Sequence, residues 1–325
     1  MATISKEDSM LLVGPDEENS RLDRVLMRRF GEGKRTLILR LIRKGNVRLN
    51  RRRAKPETRV HAGDQIFLPL SLRSPEETLP ARTRVPSWLE SIEVLHEDDV
   101  LLAVNKPAGI VVHGGSGHQC GLIETMREHR GLPELRLAHR LDRDTSGVLL
   151  MAKNLAALRL LAASFRERSI HKTYLALVAG HMYPHAGRMH SRLKKGAVRG
   201  GERMVVDHAG GKESVTDFQV VYEGCCRGWP FSLLALQPHS GRTHQLRVQL
   251  QREGHAILGD RKYADRSDLR QYRSLGGRGM MLHAWRLRLW HPLRQQPLEI
   301  RACLPASWKD WLSERLLDES ASSCG

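Results

Sequence analysis

The sequence predicts an α+β protein of two domains, and three observations carry that reading. Apolar periodicity switches between strand and helix spacing without a strict strand–helix–strand rhythm. From Arg21 to Leu68, 15 Lys and Arg stand against four Asp and Glu, which marks off a small basic module. Beyond it, residues 69–90 carry four prolines and neither period, as a linker does. At 325 residues the chain is long enough to split into two cores.

Residues 1–18 are polar and unpatterned and read as a flexible arm. Ser20, with Asp23 three positions on, reads as a helix N-cap. Leu22, Val25, Leu26 and Phe30 then repeat at helical spacing. A second helix starting near Thr36 turns Leu37, Ile38, Leu41 and Ile42 inward, and Gly45 ends it. Strands at 47–49 and 65–68 complete the module, with Ala62-Gly63-Asp64 turning the chain between them. The module spans 19–68.

The second domain is expected over 91–315, with 316–325 as a disordered tail. Strands are predicted at 92–95, 100–104, 148–152, 172–178, 231–236 and 298–303, and helices near 120–130, 154–168 and 241–253. Asn154 is placed to cap the middle helix, with Leu155, Leu158, Leu161 and Phe165 as its inner stripe.

A net charge of +17 predicts attraction to a polyanion, of which nucleic acid is the commonest. No apolar run approaches the 18 or so residues of a membrane span, so a soluble, cytoplasmic protein is expected. Five cysteines without a C-x-x-C pair imply neither a disulfide framework nor a zinc site. Neither a P-loop nor a dinucleotide fingerprint is present.

The basic module, "SRLDRVLMRRF" through "LILRLIRKGNVRLNRRRAKPETRVHAGDQI", resembles the S4 RNA-binding fold. That resemblance implies RNA. Arg40, Arg43, Lys44, Arg51, Arg52 and Arg53 are its candidate contacts, by phosphate more than by base.

Chemistry concentrates in "AHRLDRDTSGVLLMAKN", 138–154, where five charged residues precede a turn and a buried apolar run. A carboxylate among cations at such a place is favoured in its ionised form, so Asp142 is a candidate nucleophile or base; composition alone allows Asp144 equally, or a plain salt-bridge cluster. Three further segments stand out: "NKPAG" at 105–109, "KTYLALV" at 172–178 and "GRTHQLR" at 241–247. Taken singly, Lys106 is a turn cation, Tyr174 a half-buried strand aromatic and Arg242 a turn residue opening onto a helix. Leu246 and Val248 are expected to face inward.

Together, H-R-L-D-R-D-T-S-G, N-K-P-A-G, K-T-Y-L-A-L-V, G-R-T-H-Q-L-R and "LHAWRLRLWHP" at 282–292 resemble the RluA-type family of pseudouridine synthases over 91–305. The resemblance implies a mixed, mainly antiparallel sheet crossed by a cleft, and isomerisation of uridine to pseudouridine with the base flipped out and with no cofactor and no metal. It makes Asp142 the catalytic carboxylate, Tyr174 the residue stacked on the uracil and Arg242 the cation that keeps Asp142 ionised. Arg140 then fills the gap left by the flipped base, Leu246 walls the base pocket, and Lys106 and His139 are counted with them as substrate-binding. The S4-like module and "VVHGGSG" at 111–117 point to 23S large-subunit ribosomal RNA and a C-type member, ahead of tRNA, D-type sites or a non-catalytic RNA binder. The basic segment 184–204 adds Arg192, Lys194, Lys195 and Arg199 as RNA contacts, and a monomer is expected. One departure is Ala264, where the family's G-D-x-x-Y-G segment ends in glycine; it bears on a loop, not on the chemistry.

Overall fold

The computed structural model describes residues 9–31, 34–69, 72, 86–114, 121–199 and 202–312. The chain divides into two compact units between Pro86 and Ser87.

In the first unit, strands β1 (Ser9–Leu12), β2 (Arg48–Leu49), β3 (Arg52–Arg53) and β4 (Gln65–Leu68) form an antiparallel sheet in the order β1-β4-β2-β3. Helices α1 (Leu22–Phe30) and α2 (Arg35–Lys44) pack on it through Leu22, Val25, Leu26, Ile38 and Ile42, all essentially without exposure. Part of the expected arm is therefore structured: β1 pairs with the edge of β4, and Val13 is buried. Its signal was short, but an edge strand needs only a few residues to satisfy the open backbone groups beside it. Nor does Ser20 cap α1. Arg21 is the N-cap without a side-chain bond, and the Asp23 carboxylate accepts from the Arg21 guanidinium at 2.8 and 3.1 Å. Gly45 ends α2 in the left-handed region, φ 78°, as expected.

The second unit opens with a helical turn, α3 (Ser87–Glu90), inside the stretch expected to be linker; Leu89 is buried. Residues 70–71 and 73–85 of that linker, and the tail, lie outside the described residues. Next come β5 (Glu93–Glu97), β6 (Leu101–Lys106), α4 (Leu122–His129), β7 (Arg136–Leu137), β8 (Ser146–Ala152), α5 (Leu155–Arg166) and β9 (His171–Ala179). After these come β10 (Ala186–Arg199), β11 (Glu202–Asp207), β12 (Lys212–Cys226) and β13 (Trp229–Pro238), with β10 paired to both β11 and β12 and β12 to β13. Helices α6 (Gln245–Arg252) and α7 (Arg266–Ser274) precede β14 (Leu282–Trp290) and β15 (Pro297–Arg301).

Among the described residues these strands make one eleven-stranded sheet, β11-β10-β12-β13-β9-β14-β8-β6-β5, with β15 on β14 and β7 on β8. Its pairings are antiparallel except for β14 beside β8, where His283 faces Ser146 and Ala284 faces Gly147. All of β8 is buried, as its apolar run predicts. Asn154 caps α5 by accepting the Ala157 N–H at 2.8 Å, worth about 1 kcal/mol. The inner line of α5 is Ala157, Leu161 and the half-buried Phe165; Leu155, expected inward, is 44% exposed because the helix has only just begun there. No helix among the described residues is long and apolar enough to cross a membrane. The described cysteines, Cys225, Cys226 and Cys303, form no disulfide.

Candidate active site

The charged stretch ahead of β8 is a loop sewn down from below. Thr145 N–H closes a turn on the Asp142 carbonyl at 3.2 Å, and the Arg143 carbonyl accepts both the Gly109 N–H and the Lys106 ammonium, each at 2.9 Å. Ser146 and His283 are hydrogen-bonded across the parallel seam at 2.8 Å. Gly147, φ 109°, has no alternative: a Cβ there would lie 2.2 Å from the Ala284 carbonyl oxygen. T-S-G thus docks the loop on β14 and holds Asp142 at the rim of the cleft. Lys106, expected to bind substrate, is instead buried beneath the loop. Its ammonium donates to the Pro107 and Arg143 carbonyls, and burial pushes its pKa down to about 7.

Asp142 does not meet Arg242. Its partner is Arg247, whose Nη1 donates to Oδ2 at 3.2 Å. The same guanidinium gives two hydrogen bonds, 2.7 and 2.8 Å, to Asp260, whose side chain is fully buried, and lies 5.1 Å over the Tyr263 ring. Burial opposes the charge on Arg247, but Asp260 and then Asp142 outweigh it and hold the group firmly protonated. Arg242 is exposed on the turn before α6 and lines the cavities around Asp142. The reason is the helix start: His244 is the N-cap, so Arg247 falls in the buried first turn, whereas Arg242 stays outside it.

A second chain of contacts reaches the same carboxylate oxygen. The Tyr263 hydroxyl accepts the Val205 N–H at 3.0 Å and is hydrogen-bonded to His244 Nδ1 at 2.8 Å. Burial lowers the His244 pKa and favours the neutral imidazole, whose Nε2 lies 3.8 Å from Asp142 Oδ2. Ala264, the departure from the glycine pattern, closes a turn on the Asp260 carbonyl at 3.0 Å without a positive φ, so this loop has no need of glycine there.

Tyr174 stands on β9 between Leu236 of β13 and Ala284 of β14. It faces a small cavity of about 80 Å³ that Asp142, Leu246, Arg247 and Leu282 also line. Burial, then the charge of Asp142, pushes the phenol well above its ordinary pKa, so the hydroxyl is protonated at neutral pH. Leu246 and Val248 are buried as expected. Arg140 is exposed at the mouth of this cavity and of a larger one of about 620 Å³. His139 lines the larger cavity, with its Nε2 accepting the Leu150 N–H and its pKa pushed down to about 4, chiefly by burial.

Of the candidate RNA contacts, Arg40, Arg43 and Lys44 are exposed at i, i+3 and i+4 of α2. Arg51, Arg52 and Arg53 are exposed at the β2–β3 hairpin. Arg51 packs over the Phe67 ring, and Arg53 donates to the Lys44 carbonyl. Arg192 and Lys194 are exposed along β10. Lys195 and Arg199 share that strand, and their side chains lie outside the described residues.

A separate group, His96, Asp98 and His291, brings ligand-type atoms together. His291 Nδ1 accepts two backbone N–H bonds, from Leu293 and Arg294, so its proton sits on Nε2 and goes to Asp98. A metal at Nε2 would have to reverse that tautomer against both donors. The group pins β5 to the end of β14.

Asp260, Tyr263, His244 and Lys172 were not singled out from sequence. The available signal was the second arginine of G-R-T-H-Q-L-R, once the helix start was known, and the i, i+2 spacing of Lys172 and Tyr174 on one strand face.

The family model described as RNA pseudouridylate synthase matches residues 100–252, and the S4 domain model matches 20–66. The chain is 40% identical over 313 residues to the ribosomal large subunit pseudouridine synthase C of Pasteurella multocida, covering 94% of this chain and 93% of the relative. With the protein of the same name from Escherichia coli K12 it shares 38% over 323 residues, 97% and 98% of the two chains. Among solved structures it is similar to human RNA pseudouridylate synthase domain containing 1, with TM-score 0.57 and 30% identity over 68% of this chain and 86% of the other. For human RNA pseudouridylate synthase domain containing 4 the TM-score is 0.54 at 28% identity, over 68% and 91%.

Proposed function

The chain belongs to the RNA pseudouridylate synthase family, and on that footing we propose that it converts specific uridines of 23S large-subunit ribosomal RNA to pseudouridine, with Asp142 as the reacting carboxylate. The observation that carries the assignment is the asymmetry of that carboxylate. Arg247 engages Oδ2, while Oδ1 has no partner among the described residues, and Asp142 lines the cavity shared with Tyr174.

The reaction breaks the C1′–N1 bond, turns the uracil and joins C1′ to C5, with the C5 proton lost and N1 protonated. Attack on C1′ and removal of the C2′ proton both need an ionised carboxylate. The doubly anchored Arg247 donates to that carboxylate and faces it with a fixed positive charge. Tyr174, protonated at rest, is suited to stack on the uracil and to pass its proton to Asp142 as it takes the one leaving C5. Leu246 and Leu282 close the apolar side of the cavity. Arg140 at its mouth is placed to fill the gap left by a flipped base.

The proposed chemistry needs no resident cofactor. We assign RNA capture to the S4 unit and to the exposed cations of β10, in a cytoplasmic monomer. The test is carbodiimide mapping of pseudouridine in total ribosomal RNA with and without the gene. Loss of discrete large-subunit signals is expected. Intact large-subunit signals with losses in tRNA would move the substrate, and no loss anywhere would refute the activity.

A further inference from the structure

We propose that the 620 Å³ cavity beside Tyr174 is a phosphate-binding site for the RNA backbone flanking the target uridine, and that Lys172 is the cation that engages the phosphate. This rests on the pseudouridine synthase reading above and extends it to a residue outside the catalytic group.

Five cations line the cavity (Arg140, Arg166, Arg168, Lys172 and Arg242), and no Asp or Glu is among its lining residues. Four of the five are exposed arginines, which any solvated face can carry. Lys172 differs. It lies in β9, opposite Leu287 of β14, and its ammonium makes one hydrogen bond among the described residues, to the Ser240 carbonyl at 3.2 Å. Two of its N–H groups are left over, and it has no carboxylate partner among the described residues. Burial alone drives its pKa down to about 8, so a proton is retained there against the surroundings.

A sheltered cation without a counter-ion is a standing cost to the fold. An anionic ligand that binds it removes that cost, and in RNA the anion is the phosphodiester. Asp142, with which Lys172 also lines the neighbouring small cavity, is already held by Arg247. His239 adds no open charge, because Asp217 holds its Nε2 at 2.7 Å. Spacing agrees as well: Lys172 and Tyr174 share one face of β9, roughly 6.5–7 Å apart along the strand. A base against Tyr174 thus puts an adjoining phosphate within reach of the ammonium. Gly241 lies beside the ammonium without a side chain; a Cβ there would be in ordinary contact with Nζ, at 3.8 Å.

The test is a linkage scan. Fragments of large-subunit RNA carrying the mapped uridine are made with a single neutral methylphosphonate at each neighbouring linkage. For the wild-type protein, one linkage should cost about 10- to 100-fold in kcat/KM, the range for a charge-assisted hydrogen bond. Lys172→Met should lose a similar factor on native RNA and lose almost nothing more at that linkage. Lys172→Arg, which keeps the charge, should restore most of the rate. Binding of oligouridylate, measured without turnover, should weaken by about tenfold in Lys172→Met. The scan on wild-type protein needs no variant to fold. A flat scan, additive losses, or unchanged oligouridylate binding would overturn the site, while turnover of the native fragment would leave the proposed function standing. No turnover of any large-subunit RNA would strike the function instead, with the oligouridylate result still deciding Lys172.

Discussion

Asp260 grips two nitrogens of the Arg247 guanidinium inside the protein and leaves the third to reach Asp142. The buried pair is a mount for the cation that faces the reacting carboxylate. Breaking such a pair by removing one partner strands the other charge, at about 3–5 kcal/mol.

Arg247→Lys should therefore lower kcat by about 100-fold or more, because an ammonium cannot hold Asp260 bidentately and also reach Asp142. Arg242→Ala should raise KM for RNA and leave kcat within a few fold. Rates measured at saturating RNA separate the two. The reverse pattern would return the role of counter-ion to Arg242.

Gly147→Ala tests the seam between β8 and β14. The new Cβ meets the Ala284 carbonyl oxygen at a φ that side chains rarely adopt, so the cost should be about 3 kcal/mol or more. A Tm drop of roughly 6–12 °C in the catalytic unit is the expected readout. An unchanged melting curve would show that the seam yields easily and that Asp142 is positioned by other means.

Tyr174→Phe keeps the ring and removes the hydroxyl. With the phenol protonated at rest and facing Asp142, kcat should collapse while RNA affinity holds. A near-wild-type rate would leave Tyr174 with stacking alone.

Much of this was legible in the sequence because the signals were local. The apolar run of β8, the cap at Asn154 and the glycine ending α2 each depend on a few neighbouring residues, and each formed where expected. Strands β10–β12 and β14 were hidden because arginine, lysine and other polar residues interrupt their apolar alternation. Within the site, Asp142, Tyr174 and Leu246 line one cavity as their motifs imply. Asp260 was invisible because its partner lies thirteen residues away across a turn, and Lys106 looked like a surface cation until β6 and the loop closed over it. The resemblance put Arg242 beside Asp142, but the helix expected from 241 starts at Gln245, four residues later, which buries Arg247 and leaves Arg242 outside.

The S4 unit makes a separate prediction, since its charge should set affinity rather than chemistry. A chain starting at Ser87 should still form pseudouridine but need more RNA, and its binding should fall less steeply with salt. Removing one bond to phosphate should flatten the log–log slope by roughly 0.7–0.9. Neutralising Arg51, Arg52 and Arg53 together should move partway. Equal affinity and equal salt slope in the full and shortened chains would take capture away from this unit.

Release of tritium from 5-tritiated uridine in large-subunit RNA, compared between wild type and Asp142→Asn, is the sharpest test of Asp142 as the reacting carboxylate. The amide keeps the shape beside Arg247 and removes the charge. Release should fall below detection while RNA still binds, and Asp144→Asn, whose carboxylate meets Arg143 at the surface, should keep most of its activity. Full release by Asp142→Asn would contradict the assignment.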